Sequence, residues 1–206
     1  MSEQGGTLGV TLRAADENDA AALAEIAIMA SHGVMNLLYH ELIPGQSVAK
    51  TIIDRRIFNP GGFSALKHWR VAEDEHATIL GALNSVPFDD LAGSEGDSAL
   101  GPERLDPLTE LFELDQFLVG TYYVNMIAVF PQYRRSGAGR ALMAEAERLA
   151  RQNGLPAISL TTFDADANLV AFYGKLGFSI RERRTIRPHP QLEFSGNWAL
   201  MIRDLS

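Results

Sequence analysis

A chain of 206 residues, 46% of them hydrophobic, can bury one substantial core and is too apolar to stay disordered. It holds no cysteine, which excludes disulfides and thiolate catalysis. A formal net charge of -8 argues against nucleic-acid partners, and no apolar run approaches the ~20 residues that span a bilayer.

Residues 1–8 read as a flexible tail and 9–206 as a single α/β domain. Met1–Gly9 lacks the basic start and apolar core of a signal peptide, so a cytoplasmic protein is the expectation. Val10-Thr11-Leu12-Arg13 alternates like a first strand. Asp16-Glu17-Asn18-Asp19 offers an N-cap, from Asp16 or Asn18, for an Ala-rich helix reaching about His32. Gly33 interrupts, Pro44-Gly45 turns, and Ser47–Phe58 reads as a second helix ended by Asn59-Pro60-Gly61-Gly62. Lys67–Ala72 and Thr78–Val86 form an expected antiparallel pair. Residues 87–107 are polar and Gly-rich, too long for a hairpin loop. They are expected to be a mobile insertion, a lid or the contact of a homodimer, followed by a short helix over Leu108–Leu114.

Tyr122–Phe130 is nearly all apolar, which predicts a strand covered on both faces. Asn125 is its one plainly polar side chain, and strict alternation puts it on the same face as Tyr123, Ile127 and Val129. Pro131 ends the strand. A helix then starts within Arg134-Arg135-Ser136-Gly137-Ala138-Gly139 and stops at Asn153-Gly154. Leu142, Ala146, Leu149 and Ala150 recur on its inner face. Helix starts carry unpaired N–H groups and partial positive charge. Glycines at 137 and 139 permit close approach, and Arg134, Arg135 and Arg140 add charge, so the loop suits a pyrophosphate or similar anion. Ala157–Phe163 is a fifth strand, parallel to the fourth because a helix crosses between them. Asp166–Leu176 is a helix stopped by Gly177, and Ser179–Ile186 and Asn197–Ile202 are final strands. The five histidines show no metal spacing, and neither a G-x-S-x-G nor a Walker loop is present.

Arg134-x-x-Gly137-x-Gly139, after Ile127-Ala128-Val129 and Pro131, resembles the R/Q-x-x-G-x-G/A signature of the GNAT N-acetyltransferase superfamily. Ala171-Phe172-Tyr173-Gly174-Lys175-Leu176-Gly177-Phe178 resembles that family's helix-ending block around Y-x-K-x-G-F. The resemblance implies a mixed central sheet, splayed between strands four and five and flanked by helices. It implies acetyl-CoA as co-substrate, no metal, and transfer of the acetyl group by direct attack of a primary amine.

On this resemblance Arg134, Arg135, Ser136, Gly137, Ala138, Gly139 and Arg140 hold the pyrophosphate. Ile127, Ala128 and Val129 pair their backbone with the pantetheine arm. Tyr173 matches the tyrosine beside the thioester sulfur, a general acid. The family's asparagine seven residues before Tyr173 is replaced by Asp166: either the helix start is shifted locally, or Asp166 caps the helix and Asn168 is left to meet the cofactor. Many members carry a glutamate near Tyr123 or Asn125, where this chain has none. Asn125 can orient a water or an amide. Candidate bases are Glu113, Asp115, Asp164 and an ordered water relay, the last being favoured. Acceptor specificity is implied for residues 30–58, 87–118 and 186–196, with Tyr39, His40, Glu41, Phe58, Phe88, Phe112, Glu113, Phe117 and His189. These aromatic and acidic groups suit a small cationic amine such as a polyamine or amino sugar. A protein N-terminus or lysine, or a CoA-binding module with little catalysis, are the alternatives.

Overall fold

The computed structural model describes residues 9–91, 97–193 and 195–205. Among the described residues there are seven strands: β1 (Thr11–Ala14), β2 (Trp69–Glu73), β3 (Ile79–Pro87), β4 (Tyr122–Val129), β5 (Ala157–Phe163), β6 (Ser179–Thr185) and β7 (Asn197–Asp204). They form one mixed sheet in the order β1-β2-β3-β4-β5-β7-β6. Neighbours are antiparallel except β4 and β5, whose connection is a helical crossover. The flanking helices are α1 (Ala20–Ala30), α2 (Val34–Tyr39), α3 (Val48–Ile52), α4 (Pro102–Leu105), α5 (Thr109–Phe112), α6 (Ala138–Gln152) and α7 (Ala167–Lys175).

The helix boundaries follow their caps. Asp16 accepts from the Asn18 N–H and starts a 3-10 turn, Glu17–Asp19, that leads into α1. Ser47 accepts from the Lys50 N–H and starts α3, which widens into a π-helical turn over Ile53–Ile57. The expected helix at Leu108–Leu114 is α5 between two 3-10 turns, Asp106–Leu108 and Asp115–Phe117. The tail 1–8 and positions 92–96 of the expected insertion lie outside the described residues. The described part of 87–107 is tied to the body of the fold. Asp97 pairs with Arg55, and Arg104 donates to the carbonyls of Leu37, Leu38 and His40.

The sheet separates two apolar layers. Leu23, Ile26, Tyr39, Ile52 and Trp69 pack with α1–α3 on one face. Leu142, Met143, Ala146 and Ala150 of α6 pack with Leu80, Leu83 and Ile158 on the other. The covered faces explain why β4 reads as an almost continuous apolar run.

β4 carries a bulge at Asn125. Gly81 pairs with Val129 and Asn84 with Met126, but Ser85 pairs with Val124, so one residue of β4 is extra. The extra residue inverts the alternation. Tyr122 and Val124 pack on the α6 face with Ile127 and Val129, whereas Tyr123, Met126 and Ala128 pack on the α1 face. Strict alternation would group Asn125 and Tyr123 with Ile127 and Val129. The bulge corrects this, because beyond it each side chain has moved to the opposite face.

Opposite the bulged half, Gly81 lets β3 and β4 approach closely. A Cβ at Gly81 would lie 2.4 Å from the Ala128 carbonyl oxygen. Gly81→Val is therefore expected to destabilise the protein by ~2–4 kcal/mol through backbone displacement and overpacking. A urea midpoint that fails to drop would contradict this.

Candidate active site

The β4–β5 pairing is short. Tyr122 pairs with Ile158, Tyr123 with Ser159 and Val124 with Leu160, and no ladder pair joins the two strands beyond them. The strands part at Asn125 and Thr161. Residues 125–129 of β4 thus turn backbone groups toward a gap, and unpaired backbone groups need partners.

The loop after β4 opens at the end of that gap. Pro131 sets a 3-10 turn over Pro131–Tyr133. Arg135 (φ 66°) and Gly137 (φ 96°) are left-handed, and Gly137 caps α6. A Cβ at Gly137 would meet nothing within 4 Å, so its backbone angle, not crowding, calls for glycine. At Gly139 a Cβ would make ordinary contact with Phe172 and Val129, both at 3.7 Å. The Ala138 N–H donates to the Ser136 hydroxyl at 3.3 Å. Among the described residues the N–H groups of Gly139 and Arg140 have no acceptor. These groups head a helix of 15 residues, so the dipole and the open donors point at one place.

Charge reinforces the position. Among the described residues Arg134, Arg135 and Arg140 form no ion pair, whereas nearby Glu145 is taken by Arg70 and Arg148 and Glu147 by Arg151 and Arg203. Three exposed, uncommitted guanidiniums surround one helix start in an otherwise acidic protein.

A cavity of about 570 Å³ starts at this loop. Arg134, Arg135, Gly137, Gly139 and Arg140 line it there, and Ile127, Ala128 and Val129 line its course along β4. It passes Asn125 and Thr161 and reaches Met29, Ala30, His32 and Phe163 on the α1 side. Asn168, Phe172 and Tyr173 of α7 form another wall. Of the residues expected from the sequence, Ser136 and Ala138 do not line it. Asp166 caps α7 by accepting from the Asn168 and Leu169 N–H groups, so the exposed Asn168 side chain is the one left for a ligand.

Tyr173 is buried between Phe172 and Phe178, with ring centroids 5.3 Å and 5.9 Å away. No hydrogen bond among the described residues holds its hydroxyl, and burial raises its pKa. It stays protonated at neutral pH. Asn125 donates to Asn84 Oδ1 at 2.7 Å and to the Ser64 hydroxyl at 3.4 Å, so its amide is held by a buried polar network.

The candidate bases differ in their surroundings. Glu113 pairs with Arg184. Burial of Asp164 is outweighed by hydrogen bonds from Asn197 and by Arg183, which hold its carboxyl below the ordinary value. Asp115 has no ion-pair partner among the described residues; partial desolvation raises its carboxyl to about 6, although the residue is exposed at the surface.

These features match a known family. A model of the "Acetyltransferase (GNAT) family" covers residues 54–178 of the chain. The chain belongs to the GNAT acetyltransferase family. This GNAT protein is thus an acyltransferase, and its splayed mixed sheet is the fold of its relatives. An N-acetyltransferase from Staphylococcus aureus Mu50 superimposes with TM-score 0.66 at 20% identity, covering 93% of this chain and 99% of that one. An agmatine N-acetyltransferase gives 0.62 at 15%, covering 95% and 99%. A mosquito arylalkylamine N-acetyltransferase-like protein (5b) gives 0.60 at 18%, covering 96% and 100%. No curated protein matches this GNAT sequence.

None of the aromatic and acidic residues named for acceptor specificity lines the cavity. Tyr39 is 1% exposed and bonded to Arg56, Phe88 packs on Tyr123, and Phe58, Phe112 and Phe117 are exposed. Met29, His32, Thr161, Thr162 and Phe163 line it instead. The signal that could have found them is the pair of threonines inside apolar β5, at the height where β4 bulges. Among the described residues no group of three His, Asp or Glu side chains is placed to hold a metal, and no helix is long and apolar enough to cross a membrane.

Proposed function

We propose that the protein moves an acetyl group from acetyl-CoA to a small primary amine by direct attack. The observation that carries this reading is the single cavity joining the α6 start to the β4–β5 gap. The N–H groups of Gly139 and Arg140, with Arg134, Arg135 and Arg140, would take the pyrophosphate. The freed backbone of Ile127, Ala128 and Val129 would pair with the amides of the pantetheine arm. Bound there, acetyl-CoA supplies an activated acyl group. Tyr173 holds a proton for the leaving sulfur, and Asn125, fixed by Asn84, orients the amine or a water.

The α1 end of the cavity is lined by Met29, Ala30 and Phe163, with His32 edge-on to Phe163 at 5.2 Å. Among the described residues Asp166 is the carboxylate that lines the cavity, its Oδ1 capping α7, and Glu193 lies outside the lining, 3.4 Å from His32. A second ammonium would find little compensation there. These linings support an amine on an apolar or aromatic body over a polyamine or amino sugar. The test is thiol release from acetyl-CoA with arylalkylamines, agmatine, spermidine, glucosamine and a peptide N-terminus. Fastest turnover with an arylalkylamine is expected. Peptide acetylation alone would replace the acceptor class, and tight CoA binding without turnover on any amine would favour a binding module.

A further inference from the structure

Asn125 stands where β4 and β5 part, and the hydrogen bonds around it decide which of its amide atoms a substrate meets. Asn84 Nδ2 donates to the Phe63 carbonyl at 3.1 Å and to the His68 carbonyl at 3.4 Å. Carbonyls only accept, so Asn84 turns its oxygen the other way, toward β4. That oxygen accepts from Asn125 Nδ2 at 2.7 Å. Asn125 Nδ2 also donates to the Ser64 hydroxyl at 3.4 Å. Reversing the Asn125 amide would set two oxygens against each other at Asn84, which is fully buried. Main-chain carbonyls two steps away thus fix its polarity.

Asn125 Oδ1 is the atom that remains. Among the described residues it has no donor. It is also not one of the buried unpartnered atoms, Glu110 Oε2 and Trp198 Nε1, so it stays accessible. Its residue lines the cavity. We propose that Asn125 Oδ1 accepts a hydrogen bond from the attacking amine, and that Asn84, Ser64 and Arg56 hold it there as positioning residues. An amide oxygen takes no proton, so its work is to aim the nitrogen lone pair, not to deprotonate it. With its nitrogen turned inward, Asn125 has no donor to offer the thioester carbonyl.

The bulge makes Asn125 depend on this support. It lies between the Val124–Ser85 and Met126–Asn84 pairs and has no ladder partner of its own. The chain behind it begins at Arg56, in the π-helical turn Ile53–Ile57, a kind of widened turn frequent at functional sites. Arg56 Nη2 and Nε donate to the Ser64 hydroxyl at 2.9 and 3.3 Å, and Nη1 donates to the Tyr39 hydroxyl at 3.2 Å. Arg56 Cζ also lies 4.9 Å from the centre of the Phe63 ring. Arg56 therefore holds both Ser64 and the residue whose carbonyl orients Asn84. Trp69 Nε1 secures the same segment by donating to the Ser64 carbonyl at 2.9 Å. Arg56, Ser64 and Asn84 are not among the residues that line the cavity, so an effect of theirs on turnover has to pass through Asn125.

The inference rests on the acetyl-transfer reading, and one experiment separates the two. Rates with the best amine and the acetyl-CoA Kd are measured for the wild type, Asn125→Leu, Arg56→Met, Arg56→Lys, Ser64→Ala and the double variant Arg56→Met/Asn125→Leu. Calorimetry gives the affinity of each CoA complex for the amine and for its isostere with –CH3 in place of –NH3+. Leucine keeps the shape and removes the acceptor. Asn125→Leu is expected to lose ~10–100-fold of the preference for amine over isostere, and as much in kcat/KM, with the acetyl-CoA Kd held within about threefold. It also leaves Asn84 Oδ1 buried without a donor, so Arg56→Met and Ser64→Ala, which spare that bond, give the second measurement. Each is expected to lose ~3–10-fold in kcat/KM, with Arg56→Lys restoring most of the arginine's share and Arg56→Met adding nothing to Asn125→Leu. A slow Asn125→Leu protein that keeps the full preference for the amine would overturn the acceptor role. Losses from Arg56→Met that add to those of Asn125→Leu would overturn the positioning chain. A wild type that binds acetyl-CoA and acetylates no amine overturns the transfer reading and this inference with it.

Discussion

Gly137→Asp is expected to weaken acetyl-CoA binding at least a hundredfold, about 2.8 kcal/mol. Two effects act together. Gly137 sits at φ 96°, where a side chain adds strain of ~1 kcal/mol, which lowers stability and loosens the α6 start. The larger effect is charge. A carboxylate ~6 Å from a phosphate repels it by about 3 kcal/mol at the effective dielectric of a protein surface. Gly137→Ala isolates the strain, because a Cβ there meets no atom within 4 Å. It is expected to lower the melting temperature by a few degrees while changing Kd by less than about tenfold. The deficit of the aspartate variant is expected to shrink as salt is raised. Calorimetric titration checks all three, and a Gly137→Asp protein with unchanged affinity would remove the anion site from this loop.

Tyr173→Phe is the second large effect, and it falls on kcat. The variant keeps the ring contacts with Phe172 and Phe178, so Kd for acetyl-CoA is expected to stay within about threefold. Burial holds the phenol above its ordinary pKa, while a free thiol titrates near ~8.5. Full proton transfer from phenol to thiolate is thus uphill, and the hydroxyl acts mainly by donating a hydrogen bond to charge developing on sulfur. That limits the expected loss to about 10–100-fold in kcat, at the low end of general acid catalysis. A loss confined to KM would mean that Tyr173 binds substrate without assisting departure.

Much of this site was legible in the sequence because its signals are local. A strand ending at Pro131, two glycines among arginines and an amphipathic helix fix the anion loop within a few neighbouring residues. Asp166 was also legible, since a cap is read from the N–H groups two and three residues on. The bulge at Asn125 was not. It arises from the register against β3, where Gly81 and Asn84 sit, and no pattern within β4 reports a partner strand's register. Apart from Ala30 and His32, which fall in the expected segment 30–58, the residues at the α1 end of the cavity were not singled out, for the same reason. Met29, His32 and Phe163 come from segments far apart in the chain, and they meet only where β4 and β5 part. Residue type in the expected segments does not report position: Tyr39 is consumed by the core and by Arg56.

Acetyl transfer as proposed requires one cavity to take one ligand along its whole length. A crystal structure of the full chain with CoA tests it most directly. The pyrophosphate is expected against the N–H groups of Gly139 and Arg140, the pantetheine arm along Ile127–Val129, and the sulfur beside Tyr173 and the Asn125 bulge. CoA bound elsewhere, or a sulfur remote from both Tyr173 and Thr161, would contradict it.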